Sequence, residues 1–223
     1  FMARAENWKN LYDPSTRWLR SRNSQDLSWK HPDSDWREAT KENYFWMVPF
    51  DLQTLIDTIG GKQNAEKRLD SLFVRMDASY DDHFFAAGNE PDFQVPWIYN
   101  WVNPDKTSVI ISRILKEAYN SSPSGLPGND DCGAMGAWYV FASIGMYPMI
   151  PGVGGFSLNM PQFSDIRIIF PDGILHIKGG SDGESIGSIT FNGVEHSSRW
   201  LDWEKLRQGG EIIYTSKKSC NKN

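Results

Sequence analysis

Gly128-Asn129-Asp130-Asp131-Cys132-Gly133-Ala134-Met135-Gly136-Ala137-Trp138-Tyr139-Val140-Phe141 is the stretch on which the fold turns. A loop rich in Ser, Pro and Gly, from Ser121 to Gly128, leads into two adjacent carboxylates, Asp130 and Asp131. An uncharged segment with helical spacing follows at once. Met135, Trp138, Tyr139, Ala142 and Met146 recur at i, i+3, i+4, i+7 and i+11, one face of a helix over roughly 132–147. Small residues fill much of the remainder, so the helix reads as apolar all round and is expected to be buried. The two acids then stand where a loop enters that helix, at the positive end of its dipole. One of the three polar side chains, Asn129, Asp130 or Asp131, suffices for an N-cap, which leaves the others for a site.

Working outward, the chain before this stretch is helical with long irregular insertions. Residues 2–12 read as helix, ending at Asp13-Pro14, and Pro14 to Asp35 as a loop with Trp18 and Trp29 along it. Loops of that length are usually functional when ordered. A helix can begin after Glu38 and must end or kink at Pro49. Leu52, Leu55, Ile56 and Ile59 make one apolar stripe, closed by Gly60-Gly61, and Ala65, Leu69, Leu72, Phe73 and Met76 make another. The two read as an antiparallel helix pair. Residues 77–106 form a second irregular stretch, containing Gly88-Asn89-Glu90-Pro91, and Thr107 to Asn120 is helical again.

After Pro151 the pattern changes to strands. Ile166–Phe170 and Ile174–Lys178 flank a Pro-Asp-Gly turn, Ser188–Phe191 and Val194–His196 flank Asn192-Gly193, and Glu211–Thr215 is a further strand. Residues 1–150 are therefore expected to be a mostly α part, and 151–223 a small antiparallel β unit. Helix pairs at long intervals suggest an α/α toroid.

Composition narrows the function. A net charge of −5 without a basic block argues against nucleic acid. The run from Cys132 to Ser164 lacks charge, but Pro148, Pro151 and the glycines beyond break it, so a membrane span is not expected. Cys132 and Cys220 neither demand nor exclude an oxidising compartment. Ten tryptophans are a surplus, and flat sugar faces stack on indole, which favours a carbohydrate ligand. No zinc-type His/Cys cluster, nucleophile elbow or phosphate-cradling loop is present.

Glu38, Glu90 and Asp130/Asp131 each lie on a loop at a helix boundary, beside aromatics and amides. Separated acids at one end of a helical scaffold are what glycoside hydrolysis needs: one protonates the leaving oxygen, another activates water. A hard cation such as Ca²⁺ seeks the same oxygens. Capping acids on a helical binding domain remain the competing reading.

At these residues the chain resembles the second half of a glycoside hydrolase family 92 α-mannosidase. The family's Glu-Gly-x-x-Trp-Gln-Tyr-x-Trp-x-Val-Pro-His-Asp pattern is matched by Glu38 to Asp51, with departures at Ala39, Glu42, Asn43 and Phe50. Gly88–Pro91, Asp105-Lys106-Thr107, Gly128–Val140, Tyr147-Pro148 and Gly155–Phe163 match further segments in order. The resemblance implies a calcium-dependent, inverting exo-α-mannosidase in which a β-sandwich is paired with an (α/α)6 barrel. It implies that Glu38 is the general acid and Asp131 the general base, with Asn129 and Asp130 beside it. It implies substrate contacts from Trp36, Trp46, Asn89 and Lys106, and calcium ligands from Glu90, Gln94 and Asp131. The implied partner is a mannose-containing glycan, and the compartment secreted or periplasmic rather than cytoplasmic. A non-catalytic sugar-binding module on the same scaffold is the alternative.

Three physical expectations accompany these roles. Glu38 needs an apolar setting, from Trp36, Tyr44 and Trp46, to keep its proton. Calcium charge nearby keeps an Asp ionised. The carboxyls of Glu38 and Asp131 are expected roughly 6.5–9.5 Å apart, the inverting range. Periodicity supplies only about half the helices of such a barrel. The missing N-terminal half of the domain, or another chain, is therefore expected to pack on the stripes Leu52–Ile59 and Ala65–Met76.

Overall fold

The computed structural model describes residues 2–220. Helices dominate its first part: α1 (Met2–Ala5), α2 (Lys41–Tyr44), α3 (Leu52–Thr58), α4 (Lys62–Leu72), α5 (Tyr99–Val102), α6 (Pro104–Glu117) and α7 (Ala134–Ile144). Short 3-10 turns at Glu6–Leu11, Pro49–Asp51, Glu90–Asp92, Val95–Ile98 and Asp131–Gly133 link them. Two small strands, β1 (Tyr12–Asp13) and β2 (Trp18–Leu19), pair antiparallel near the N-terminus. The second part holds β3 (Met146–Tyr147), β4 (Gly155–Leu158), β5 (Asp165–Phe170), β6 (Gly173–Lys178), β7 (Ile186–Phe191), β8 (Val194–Glu195), β9 (Trp200–Asp202) and β10 (Gly210–Ser216). Two short helices, α8 (Trp203–Leu206) and α9 (Lys217–Cys220), flank β10.

The protein is thus mixed helix and sheet rather than mostly α. The β unit also departs from the antiparallel expectation. The larger sheet runs β5-β6-β10-β7-β8, and β10 lies parallel to β6. The reason is topological. The two hairpins form locally, through the Pro171-Asp172 and Asn192-Gly193 turns, and β10 then inserts between them after the β9–α8 excursion. Inserted there, it buries Ile212 and Tyr214 from both sides. The smaller sheet, β3-β4-β9, joins the end of α7 to this unit.

Both predicted apolar stripes form. Leu52, Leu55, Ile56 and Ile59 of the first, and Ala65, Leu69, Leu72, Phe73 and Met76 of the second, are all buried within this chain. They pack in one cluster with Trp46, Trp97, Tyr99 and Trp138. At roughly 1.5–3 kcal/mol per buried aliphatic side chain, this cluster is a principal source of stability. It also corrects an expectation: these stripes are satisfied internally and offer nothing to a further helix. Apolar surface is left uncovered on α7 instead, as it is at Ile169 and Val194 of the larger sheet. That helix buries Met135, Trp138 and Ala142, whereas Tyr139 is 43% and Val140 57% exposed. Its even apolarity misled the burial estimate, because only one face finds a partner among the described residues.

α7 ends at Gly145, whose left-handed backbone (φ 91°) lets its N–H reach the carbonyls of Phe141 and Ala142. A side chain there would also sit 2.6 Å from Pro161 Cγ, so the position is closed to anything larger. Asn159 then ties strand to helix. Its amide nitrogen donates to the Ala142 carbonyl at 2.9 Å, and its Oδ1 accepts the Trp97 indole N–H at 3.1 Å. Trp97 in turn stacks on Tyr147 with ring centres 4.5 Å apart.

Asp13, at the end of β1, is buried and accepts from Ser15 N at 2.9 Å, Ser15 Oγ at 2.7 Å and Thr16 Oγ1 at 3.1 Å, and pairs with Arg20. Burial works to raise its pKa, but the bonds from Ser15, Arg20 and Thr16 outweigh it and hold the carboxyl well below the usual range. A depressed carboxylate stabilises the fold above its unfolded pKa, about 3.9, and that contribution is lost as pH falls below it. Asp13→Ala is expected to cost about 3 kcal/mol at pH 7 in urea unfolding. It should also flatten the fall in stability that the wild type shows below about pH 4.

Candidate active site

Three loops meet at one end of the helical part. The first is the turn before α2, where Glu38 takes a left-handed backbone (φ 60°). That conformation costs a non-glycine residue roughly 1–2 kcal/mol and persists only when neighbours enforce it. The enforcing neighbour is Asn89 on the second loop, whose amide nitrogen lies 3.3 Å from the Glu38 carbonyl. The same nitrogen lies 3.3 Å from Tyr44 Oη on α2 and 3.3 Å from Asp92 Oδ2. The third loop, 127–131, presses against the second, backbone to backbone. A Cβ on Gly88 would stand 2.7 Å from the Pro127 carbonyl oxygen, so only glycine permits the approach.

The adjacent acids of the key stretch have separate tasks. Asp130 Oδ1 accepts the backbone N–H groups of Met135 at 2.8 Å and Gly136 at 3.2 Å, which caps the first turn of α7. Asp131 is exposed, precedes the left-handed Cys132 (φ 54°), and has no side-chain hydrogen bond among the described residues. Asp130 is therefore engaged in capping α7 through Oδ1. Asn129 lines a groove of about 290 Å³ with Ser79, Tyr80, Ala86 and Gly88.

Glu90 and Gln94 line an open cleft of about 520 Å³, with Met47, Phe50, Met149 and Pro151 as its apolar walls. Glu90 Oε1 is buried and has no hydrogen-bond partner, an arrangement that costs free energy unless a ligand completes it. With Gln94 it offers oxygen donors only, the chemistry a hard cation takes. The residues therefore fit one part of a calcium shell. Among the described residues no group of three or more His, Cys, Asp or Glu gathers to hold a metal.

Several other expected site residues are placed differently. Trp46 is 1% exposed and packs edge-on against Phe45 in the core, so it offers no ring face to a sugar. Lys106 reaches α4 instead of the loops, lying 2.8 Å from Glu66 and 2.7 Å from Asp70. Trp36 is half-buried; its indole donates to the Pro32 carbonyl at 2.9 Å and its ring meets Tyr44 edge-on. Glu38 does not sit in an apolar box: its side chain is 60% exposed, with Arg37 3.6 Å away.

Asp92 went unrecognised in the sequence, although it lies two residues beyond Glu90 in the same motif. It is fully buried, and its Oδ1 has no partner. Burial pushes its carboxyl up to about 8, partly offset by the Asn89 hydrogen bond. A buried acid whose carboxyl is pushed up, beside the Glu38 turn, is a feature that no periodicity reveals.

The chain matches the model of the glycosyl hydrolase family 92 catalytic domain over residues 1–218. It is 31% identical over 182 residues to an uncharacterized secreted glycosidase of Arthroderma benhamiae, covering 78% of this chain and 22% of that protein. A family GH92 α-mannosidase of Bacteroides thetaiotaomicron, solved with mannoimidazole, superposes with a TM-score of 0.84 at 28% identity. The match covers 94% of this chain and 31% of that one. A family GH92 inverting mannosidase of the same organism gives a TM-score of 0.84 at 25% identity, covering 96% and 33%. The chain thus spans between about a fifth and a third of the length of these relatives.

Asp92 gives a pH prediction. An acid whose folded pKa is raised keeps its proton in the native state while the unfolded chain has lost it. Its contribution therefore weakens as pH rises from about 4 to about 8. In chelator-containing buffer, Asp92→Asn should remove that decline in unfolding stability. An unchanged slope would mean that Asp92 ionises normally.

Proposed function

We propose that this chain, which belongs to glycosyl hydrolase family 92, carries the acid and base of a calcium-dependent, inverting exo-α-mannosidase acting on mannose-containing glycans. The observation that supports it most is the meeting of three loops through Asn89 and Gly88. Glu38, Glu90 and Asp131 are left there without side-chain hydrogen bonds, while Asp130 is taken up in capping. The buried, unpartnered Glu90 Oε1 in particular is poorly explained as a structural group. The similar solved structures are mannosidases, which agrees with this reading.

In this reading Glu38 donates its proton to the leaving glycosidic oxygen, and Asp131 takes a proton from the attacking water on the opposite face of the sugar. Their carboxyls stand roughly 6.5–9.5 Å apart across the bound ring, leaving room for that water. Glu38 is open to solvent in this chain, and the bound sugar would cover it. Glu90 and Gln94 would hold the calcium, and Met47, Phe50 and Met149 line that cleft. The ion would supply positive charge beside the sugar. The exposed Tyr139 and Val140 face of α7 is where further helices of an (α/α)6 barrel pack. Secretion is proposed from the description of the fungal relative.

The test is hydrolysis of an aryl α-mannoside by the full-length protein, followed by NMR of the first-formed anomer. The expected outcome is β-mannose, with turnover lost in EDTA and restored by calcium. Asp131→Asn should lower kcat by about 10³-fold with its unfolding transition intact. Asp130→Ala should instead cost about 1 kcal/mol of stability. Calcium-dependent mannose binding without turnover would favour a sugar-binding module. Full activity of Asp131→Asn would remove it as base.

A further inference from the structure

A second cavity, of about 240 Å³, lies between α2, α4, the strand β2 that carries Trp18 and the loop that carries His83. Its lining includes Trp18, Glu42, Lys67, Arg68, Ser71 and His83. The charges there do not balance. Glu42 is engaged, 2.9 Å from His83 Nδ1 and 3.0 Å from Lys41 Nζ. Arg68 and Lys67 form no ion pair among the described residues, and Arg68 makes no hydrogen bond there.

Arg68 is also fixed in place. Its Cζ lies 3.9 Å from the centre of the Trp18 ring and 4.7 Å from that of Phe45, and Nη1 is buried without a partner. Ring faces attract a guanidinium but do not neutralise it. Burial, with Arg17 close by, pushes its pKa down to about 10 against smaller opposing effects of Tyr12 and Glu42. A planar cation held against an indole, with its charge uncompensated, is prepared for a planar or tetrahedral oxyanion. Position 42 holds Glu where the motif that the chain resembles carries Trp, and the smaller side chain leaves space beside Arg68.

We propose that this cavity binds one sugar unit bearing a single anionic group, a carboxylate or a phosphate, with Arg68 as its ion-pair partner and Lys67 at the rim. The volume suits one pyranose rather than a longer chain. Trp18 forms an apolar wall. Glu42, already paired to His83 and Lys41, remains an acceptor for sugar hydroxyls and disfavours a ligand with several anionic groups. The site would hold a charged branch of a glycan apart from the residue being cleaved.

The test is calorimetric titration of the full-length protein at low salt with glucuronate, glucose 6-phosphate, glucose and inorganic phosphate. At least one anionic sugar should bind about tenfold or more tighter than glucose and inorganic phosphate. Binding of glucuronate alone would identify the group as carboxylate, and of glucose 6-phosphate alone as phosphate. Arg68→Met should abolish this binding. Lys67 is exposed and unpaired, so Lys67→Glu should fold normally, weaken binding several-fold and leave aryl α-mannoside turnover unchanged. Three results would overturn the proposal: glucose binding as tightly as both anionic sugars, inorganic phosphate binding as tightly as either, or Lys67→Glu leaving their affinity unaltered.

Discussion

The side chain of Asn89 is 4% exposed, and its amide nitrogen stands 3.3 Å from oxygens on three segments: the Glu38 carbonyl, Tyr44 Oη and Asp92 Oδ2. Two hydrogens shared among three acceptors make each contact long and individually weak. Their value lies in what they connect. They hold Glu38 in its left-handed backbone, seat α2 beside the second loop, and keep the buried Asp92 from being wholly unsatisfied. Next to it, Gly88 admits the third loop so closely that no side chain fits. The three acid-bearing loops come together because one buried amide and one missing Cβ allow it.

Those loops are precise because the scaffold beneath them is rigid. Trp97 and Trp138 are both almost fully buried, and each indole N–H finds an acceptor, at Asn159 Oδ1 and at the Phe93 carbonyl. The Phe93 carbonyl belongs to the segment between Glu90 and Gln94, so the core fixes the floor of the cleft directly. Asn159 links the same core to the end of α7. A substitution in this aromatic group would be felt at Gln94, the residue after Phe93, and at Glu90, three residues before it.

Much of this was legible in the residues. The apolar spacing of α3, α4 and α6 located those helices, and the Asn192-Gly193 and Pro171-Asp172-Gly173 turns located both hairpins. Family motifs pointed to all three acid-bearing loops. Other features were hidden because they depend on partners distant in sequence. The parallel pairing of β10 with β6 requires knowing that β10 inserts between two finished hairpins. Periodicity showed α7 as apolar but not which face would find a neighbour. Trp46 and Trp36 look alike in sequence, yet one is core and the other half-open. Which of Asp130 and Asp131 caps α7 depends on a backbone turn at Cys132 that spacing does not encode.

The central claim is that the Asn89 amide organises the acids into a working site rather than merely filling a polar gap in the core. The most direct measurement is kcat/KM of Asn89→Ala on an aryl α-mannoside, in the full-length protein, alongside its circular dichroism and melting curve. Loss of the amide should cost about 1–3 kcal/mol of stability and leave the protein folded. The account predicts a fall of about 10²-fold or more in kcat/KM, because the Glu38 turn and the Glu90 loop lose their common anchor. A folded Asn89→Ala protein with wild-type turnover would contradict it.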